Sequence, residues 1–297
     1  MAVYVTSDIH GHLRALDRVL EMAQPGAGDR LVFMGDMVDR GPDPIGVLKL
    51  ARDYPGATVL MGNHEQLLLG AVAGGDEADT LIWQSNGGYV TSCALDGLPA
   101  EEAAGLVDWI AGLPAFAVAE VDDSRLRGRV RRRPYILVHA GIDAPAARAE
   151  LDAMGVGSGR LGGYGGATSD ELIRMMSSQS EEDLLWIRGD FWARPTGLVG
   201  GDGLGPVVVA GHTPSVSLAR YARLMCGAGI DENDHGRMVE VGPTRDTGGE
   251  ADRICVDSPP RRAIRSAGSV SCASRTAGSG MRMWRRASRR YSPRAAR

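Results

Sequence analysis

An α/β fold with consecutive parallel strands is predicted by two observations. Short β-prone runs alternate with stretches whose apolar residues recur at helical spacing, and the first three runs each end in a segment rich in metal-ligand residue types. Those segments are Asp8-Ile9-His10-Gly11, Gly35-Asp36-Met37-Val38-Asp39-Arg40-Gly41 and Gly62-Asn63-His64-Glu65. Asp8 precedes Asp36 by 28 positions, and Asp36 precedes Asn63 by 27. Strand, helix and parallel strand need a crossover of about this length.

Each element follows from its residues. Ala2 to Thr6 is the first β-prone run, Leu31 to Met34 the second and Thr58 to Met61 the third. Leu13, Leu16, Val19, Leu20 and Ala23 predict the helix between the first two. Pro42 and Pro44 suit the start of the next, which carries Ile45, Leu48, Ala51 and Arg52. Ligands in parallel sheets gather beyond the carboxyl ends of the strands. Three such ends bring Asp8, His10, Asp36, Asp39, Arg40, Asn63 and His64 to one rim. The glycines at 11, 35, 41 and 62 let the backbone turn tightly there.

Two later segments, Val138-His139-Ala140-Gly141 and Gly211-His212-Thr213, add imidazoles. Together the five segments hold the donors of a two-metal, phosphate-cleaving site. Asp36 is the carboxylate expected to bridge the ions. Asp8 and His10 complete the first ion; Asn63, His139 and His212 complete the second. Mixed Asp, Asn and His donors suit Mn, Fe or Zn better than Ca. Paired ions about 3.5–4 Å apart lower the pKa of a shared water and clamp a phosphoryl group. The nucleophile is then a metal-bridging hydroxide. His64 is placed to protonate the leaving alkoxide as general acid, with Asp39 orienting its imidazole. Arg40 offers a planar fork to phosphate oxygens, and Arg188, in Leu184-Leu185-Trp186-Ile187-Arg188, is the second.

On these segments the chain resembles the PPP-type serine/threonine protein phosphatases, a branch of the calcineurin-like metallophosphoesterases, and is most similar to their bacterial and phage members. The family pattern is GDxHG, GDxVDRG, GNHE, a His-Ala-Gly or His-Gly-Gly, and a Gly-His-Thr. Ser7 replaces the first glycine; the second and third segments match in full. The resemblance covers roughly residues 2 to 257. It implies a β-sandwich flanked by helices, a dinuclear metal site at the strand ends, and the roles given above for Asp8, His10, Asp36, Asn63, His139, His212, His64, Asp39, Arg40 and Arg188. Manganese is the expected pair of ions. Symmetric dinucleoside tetraphosphate hydrolases share the family; Asp39 and Glu65 lean toward the protein-phosphatase branch.

Other residues draw plainer readings. His12 is expected at the surface of the first helix, and His235 in a solvated acidic loop. Trp83, Tyr89 and Trp109 are expected as core anchors. Arg125 to Arg133, six arginines in nine residues, reads as a solvated loop before the strand Tyr135 to Val138. Gly155 to Gly166 holds seven glycines in twelve positions, which reads as a mobile loop at the rim or an insertion without a role.

Composition bounds the rest. One catalytic domain, residues 1–257, is the economical division of 297 residues. No apolar stretch reaches about 18 residues, so no membrane span is expected. A cleavable leader would remove Asp8, so none is expected. The four cysteines lack metal spacing, which suits reduced thiols in a cytoplasm. The net charge of −4 is uneven: Ser258 to Arg297 holds eleven arginines and no acid, leaving −15 on the body. One lysine, Lys49, stands against 32 arginines, which points to a GC-rich gene. After Arg253-Ile254-Cys255-Val256-Asp257 the resemblance stops, and the basic segment 258–297 reads as a disordered tail from a frameshifted or diverged end.

The first expectation is therefore a metal-dependent phosphomonoesterase acting on phosphoserine or phosphothreonine in protein, or on a small phosphoester. The alternative substrate is a dinucleoside polyphosphate (Ap4A-type) or a nucleotide. The alternative of another class is a non-catalytic protein that binds nucleic acid through the basic tail.

Overall fold

A computed structural model describes residues 1–72, 77–122, 132–158, 161–218, 221, 238–257, 271–275 and 281–282 of the chain. The three predicted strands are present as β1 (Val3–Ser7), β2 (Arg30–Phe33) and β3 (Thr58–Val59), side by side and parallel. Their crossovers are α1 (Leu13–Ala23) and α2 (Pro44–Asp53). Asp43 caps α2 by accepting a hydrogen bond from the Gly46 N–H at 2.8 Å, with Pro44 at the first helical position.

After β3 comes a helical region: α3 (Asn63–Val72), α4 (Glu77–Trp83), a π-helical turn over Gln84–Gly88, α5 (Tyr89–Asp96) and α6 (Ala100–Ala111). The second sheet follows, with β4 (Phe116–Asp122), β5 (Arg132–Val138), β6 (Val207–Ala210), β7 (Val239–Val241) and β8 (Arg253–Cys255) in the order β4-β5-β6-β8-β7. Strands β5, β6 and β8 run parallel; β4 and β7 are antiparallel edges. Helices α7 (Ala144–Ala153), α8 (Ser169–Ser177), α9 (Glu181–Trp186) and α10 (Gly189–Ala193) lie between β5 and β6 in the chain.

Period-two alternation of strand side chains builds the four layers. Val3, Val5, Val32, Met34 and Leu60 of the first sheet meet Tyr135, Leu137, Val207, Val209 and Ile254 of the second in one apolar cluster. The opposite faces are also buried. Tyr4, Leu31 and Phe33 pack with Leu16, Leu48, Leu68 and Leu106 of the first helical layer. Ile136, Val138, Val208 and Ala210 pack with Leu151, Leu172, Met176 and Trp192 of the second. Each such side chain contributes about 1.5–3 kcal/mol, and a one-residue slip would swap the two faces of a strand. The predicted β-sandwich flanked by helices is the observed fold.

Several local expectations are corrected. The sequence predicts a tail without structure from Ser258. Two of its segments nevertheless stand as antiparallel strands, β9 (Ser271–Arg275) and β10 (Met281–Arg282), with Val3 of β1 opposite Arg275 and Ser7 opposite Ser271. A free strand edge offers backbone N–H and C=O groups whatever the side chains, so this pairing needs no apolar pattern. The remainder of the tail, His235 and Arg125 to Arg131 lie outside the described residues.

Arg133, read as part of a solvated loop, is buried. It donates to the carbonyls of Gly205 (3.0 Å) and Gly203 (2.6 Å) and to Glu250 (3.1 Å). The glycine-rich stretch is docked where it is described: Tyr164 is buried, its N–H donates to the Leu198 carbonyl at 2.8 Å and its hydroxyl to Asp152 at 2.9 Å. Tyr89 is 66% exposed, so it anchors no core, whereas Trp83 is 3% exposed. His12 is half-buried where the chain enters α1.

Candidate metal centre

The loops after β1, β2, β3, β5 and β6 converge on one rim of the sandwich. The loops after β1 and β2 are zipped together: the N–H groups of His10 and Gly11 donate to the carbonyls of Asp36 and Met37, each at 2.8 Å. Among the described residues, seven non-glycine residues take a left-handed backbone, namely Asp8, His10, Gln24, Asp36, Asp39, Arg40 and His212. Gln24 caps α1; the other six are all predicted site residues. Such a conformation costs of order 1–3 kcal/mol per residue and persists only where its surroundings enforce it.

Glu65 supplies much of that enforcement. Its buried carboxylate accepts from the N–H groups of Asp36 (2.8 Å), Gly62 (2.9 Å), Met37 (2.8 Å) and Val38 (3.2 Å). Each of these donors left unpaired would cost about 1–3 kcal/mol. Four of them approach the whole stability of a domain, about 5–15 kcal/mol. In the sequence Glu65 marks only a branch of the family; in the structure it is the clamp of the Asp36 loop. A Cβ on Gly62 would collide with the Asp36 backbone nitrogen, so only glycine lets the two loops approach this closely.

Metal-donor side chains fall into two buried groups that share one residue. One is His10, Asp36 and His64; the other is Asp36, His139 and His212. Asp36 Oδ2 lies 3.5 Å from His10 Nε2, and Asp36 Oδ1 lies 3.4 Å from His139 Nε2. The second nitrogens of those two imidazoles are committed to backbone carbonyls. Nδ1 of His10 donates to Val38 at 3.0 Å, and Nδ1 of His139 to Met34 at 2.8 Å. With Nδ1 carrying the proton, each Nε2 presents its lone pair to the rim, where a cation could take it. Nε2 of His212 is buried and has no hydrogen-bond partner among the described residues, as a nitrogen built for a cation would be. Asn63 Oδ1 joins the second group, 2.9 Å from His139 Nε2. The donor set fits two divalent cations sharing Asp36.

Asp8 is at the rim but in neither group. Its Oδ2 accepts from the Ser7 hydroxyl at 2.6 Å and from the His212 N–H at 3.0 Å. Ser7 is thus more than a neutral replacement for glycine, because its hydroxyl orients the neighbouring carboxylate.

His64 stands between two roles. Its Nε2 is 4.0 Å from Asp36 Oδ2, which places it in the first donor group. Its Nδ1 donates to Asp39 Oδ2 at 2.6 Å, which forms the predicted pair. Arg40 reaches both imidazoles of that group, with one terminal nitrogen 2.7 Å from His10 Nε2 and the other 2.7 Å from His64 Nε2. Arg188 is brought to the opposite side, where it donates to the His212 carbonyl at 2.7 Å. Trp186 stands edge-on to the His212 ring, with centroids 6.1 Å apart.

Burial and the neighbouring charges set the protonation pattern. Burial would raise the Asp36 carboxyl, but His139, His64, His10 and His212 together hold it below the usual range. Burial, reinforced by Arg40, pushes His10 down to about 3. Burial, reinforced by His139 and Arg188, pushes His212 down to about 2. Burial would also lower His64, but Asp36 and its bond to Asp39 leave it raised.

A depressed imidazole contributes stability that is present above its unfolded value of 6.5 and is lost as pH falls toward the folded value. Between pH 7 and pH 5 His10 and His212 would each withdraw on the order of 2 kcal/mol from the metal-free protein, while His64, raised, and Glu65, pushed up by burial to about 7, would oppose them. The contribution of one imidazole is isolated by difference: the melting temperature of metal-free His10→Gln is expected to gain on that of the wild type as the pH falls from 7 to 5. A constant difference between the two would show that His10 is not held neutral.

Paired donor groups sharing one buried carboxylate, on the rim of a helix-flanked sandwich, define a metal-dependent phosphoesterase site. The calcineurin-like phosphoesterase family profile matches residues 1–233, and the chain belongs to that family. Among curated relatives, serine/threonine-protein phosphatase 1 of Salmonella typhimurium is 41% identical over 87 residues, 29% of this chain and 38% of that protein. The symmetrical bis(5'-nucleosyl)-tetraphosphatase of Dechloromonas aromatica is 32% identical over 148 residues, 48% of this chain and 44% of that protein. The matched part is thus less than half the length of either relative. A solved cold-active protein-tyrosine phosphatase of a Shewanella species aligns at 17% identity and a TM-score of 0.45, over 92% of this chain and 74% of that one. The family uses divalent metals. Among the described residues, no helix is long and apolar enough to cross a membrane.

Proposed function

We propose that this chain is a phosphomonoesterase of the protein-phosphatase branch, acting on phosphoserine or phosphothreonine. The observation that carries the reading is the buried His64–Asp39 pair, hydrogen-bonded at 2.6 Å beside the shared Asp36. Asp8, His10, Asp36, Asn63, His139 and His212 would hold two divalent cations, which would supply an activated water and charge neutralisation for attack at phosphorus. Manganese is the proposed ion, with iron and zinc compatible with the same donors.

The chain's own groups do the rest. Arg40 and Arg188 orient the phosphate through paired N–H donors. Arg40 donates to His64 Nε2 at 2.7 Å, and that atom cannot accept this bond and carry a proton at once. A phosphate that draws Arg40 onto its oxygens frees Nε2 to hold the proton that the leaving alkoxide needs. Asp39 balances the imidazolium from the other side of the ring.

A second reading, hydrolysis of dinucleoside polyphosphates, is favoured by the relatives of that name, 32–33% identical over about half of this chain. The test is release of phosphate from a phosphothreonyl peptide against cleavage of diadenosine tetraphosphate, both with Mn²⁺. The expected kcat/KM favours the peptide by at least about tenfold, roughly 1.4 kcal/mol of transition-state preference. The reverse preference would replace the first reading by the second. The catalytic domain is proposed as residues 1–257, with the basic tail, 258–297, adding β9 and β10 to its first sheet, in a cytoplasmic protein in which Cys93 and Cys255 are free thiols. Nucleic acid is not proposed as a partner.

A further inference from the structure

We infer that Trp83 and Thr91 are positioning residues that hold Asp39 in register with His64; the inference rests on the acid-pair reading above. Asp39 is fully buried and left-handed, with φ of 70°, so something must fix both its backbone and its carboxylate. Thr91 touches both. Its hydroxyl oxygen accepts from the Asp39 N–H at 2.9 Å, and its O–H donates to Asp39 Oδ1 at 2.6 Å. Trp83 Nε1 donates to the same carboxylate, 3.1 Å from Oδ1 and 3.0 Å from Oδ2. With His64 Nδ1 on Oδ2, the carboxylate has three side-chain donors from three directions. Its orientation toward His64 is over-determined.

The delivering segment is built for this contact. Trp83 ends α4, Thr91 lies in the first turn of α5, and the π-helical turn Gln84–Gly88 joins them. Gly87 lies outside helical geometry, so the turn is a kink between two helices, and a kink re-aims side chains that a straight helix would misplace. Gly87 takes a φ of 106°, and a Cβ on Gly88 would collide with the Trp83 indole nitrogen. The same turn holds Arg40: its N–H donates to the Gly87 carbonyl at 3.2 Å and its Nε to the Asn86 carbonyl at 3.4 Å. One segment outside the five motifs therefore fixes both Asp39 and Arg40. A buried indole N–H does need some acceptor, but general core packing would not select this carboxylate for both donors.

The test uses leaving groups. Phenyl phosphate needs a proton on its departing oxygen far more than 4-nitrophenyl phosphate does. A residue that acts through the general acid should therefore slow the first substrate selectively. The ratio of kcat for 4-nitrophenyl to phenyl phosphate is measured at saturating Mn²⁺ for the wild type, Asp39→Asn, Trp83→Phe, Thr91→Val and Thr91→Ser, with metal content determined for each. Asp39→Asn is expected to raise the ratio roughly a hundredfold. Trp83→Phe and Thr91→Val should each raise it about tenfold, and Thr91→Ser, which keeps the hydroxyl, should leave it near the wild type. Equal slowing of both substrates by Trp83→Phe and Thr91→Val, beside a split in Asp39→Asn, would overturn the inference and leave the acid pair standing. No split in Asp39→Asn would remove the acid pair and the inference together. Should Trp83→Phe lose metal, the comparison of Thr91→Val with Thr91→Ser decides alone.

Discussion

Replacing Asp36 by Asn is expected to lower Mn²⁺-dependent hydrolysis of an aryl phosphate by about 10³-fold or more, with loss of bound metal. Asp36 is the one residue common to both donor groups, so the substitution weakens both cation sites at once. Even an outer partner of a metal ligand typically changes affinity by 10–100-fold; a shared anionic ligand should exceed that. The substitution is also clean. Asp36 Oδ1 accepts the His64 N–H at 3.0 Å, which an asparagine oxygen can continue to do. The loop is gripped chiefly through backbone N–H groups on Glu65. The fold should therefore survive, with its melting transition retained in the metal-free state. Metal content by elemental analysis beside turnover checks the point. Two ions still bound, with activity within about tenfold of the wild type, would show that Asp36 is not the shared ligand.

The second large effect is at His64. His64→Asn is expected to lower turnover by about 10²–10⁴-fold, the usual contribution of a positioned general acid, with both metals retained. The structure makes this a sharp question, because His64 belongs to a donor group as well as to the Asp39 pair. Its Nε2 is farther from Asp36 (4.0 Å) than that of His10 (3.5 Å), and its Nδ1 hydrogen bond to Asp39 suits an imidazole that must become cationic. Retained metal with lost turnover supports the acid. Loss of one ion per chain would make His64 a ligand and leave the leaving group to protonate from water.

Much of this was legible because it is local. Tight glycine turns after β-prone runs, and histidines and carboxylates at strand ends, write their spacing into the chain. Leu13, Leu16, Val19, Leu20 and Ala23 mark the α1 helix by spacing alone, and the segments of Asp36, His139 and His212 mark all three as candidate donors without their proximity. Residues that act through distant backbone were not legible. Glu65 gave no sign that it would gather N–H groups from the preceding strand loop. Trp83 and Thr91 lie 44 and 52 positions from Asp39; Trp83 reads from sequence as a core anchor, and Thr91 carries no signal there. Arg133 looked solvated because its acceptors, the carbonyls of Gly203 and Gly205, are some 70 positions away.

The sequence by itself determined the fold class, the donor chemistry and the rim on which that chemistry gathers, since strand-end motifs and side-chain period are properties of short segments. Only the tertiary structure decided which donors share Asp36, which nitrogen of each imidazole is committed to a carbonyl, and which side chains lock Asp39. Those facts depend on hydrogen bonds between segments far apart in the chain, whose partners become neighbours only once two sheets and their helices have packed.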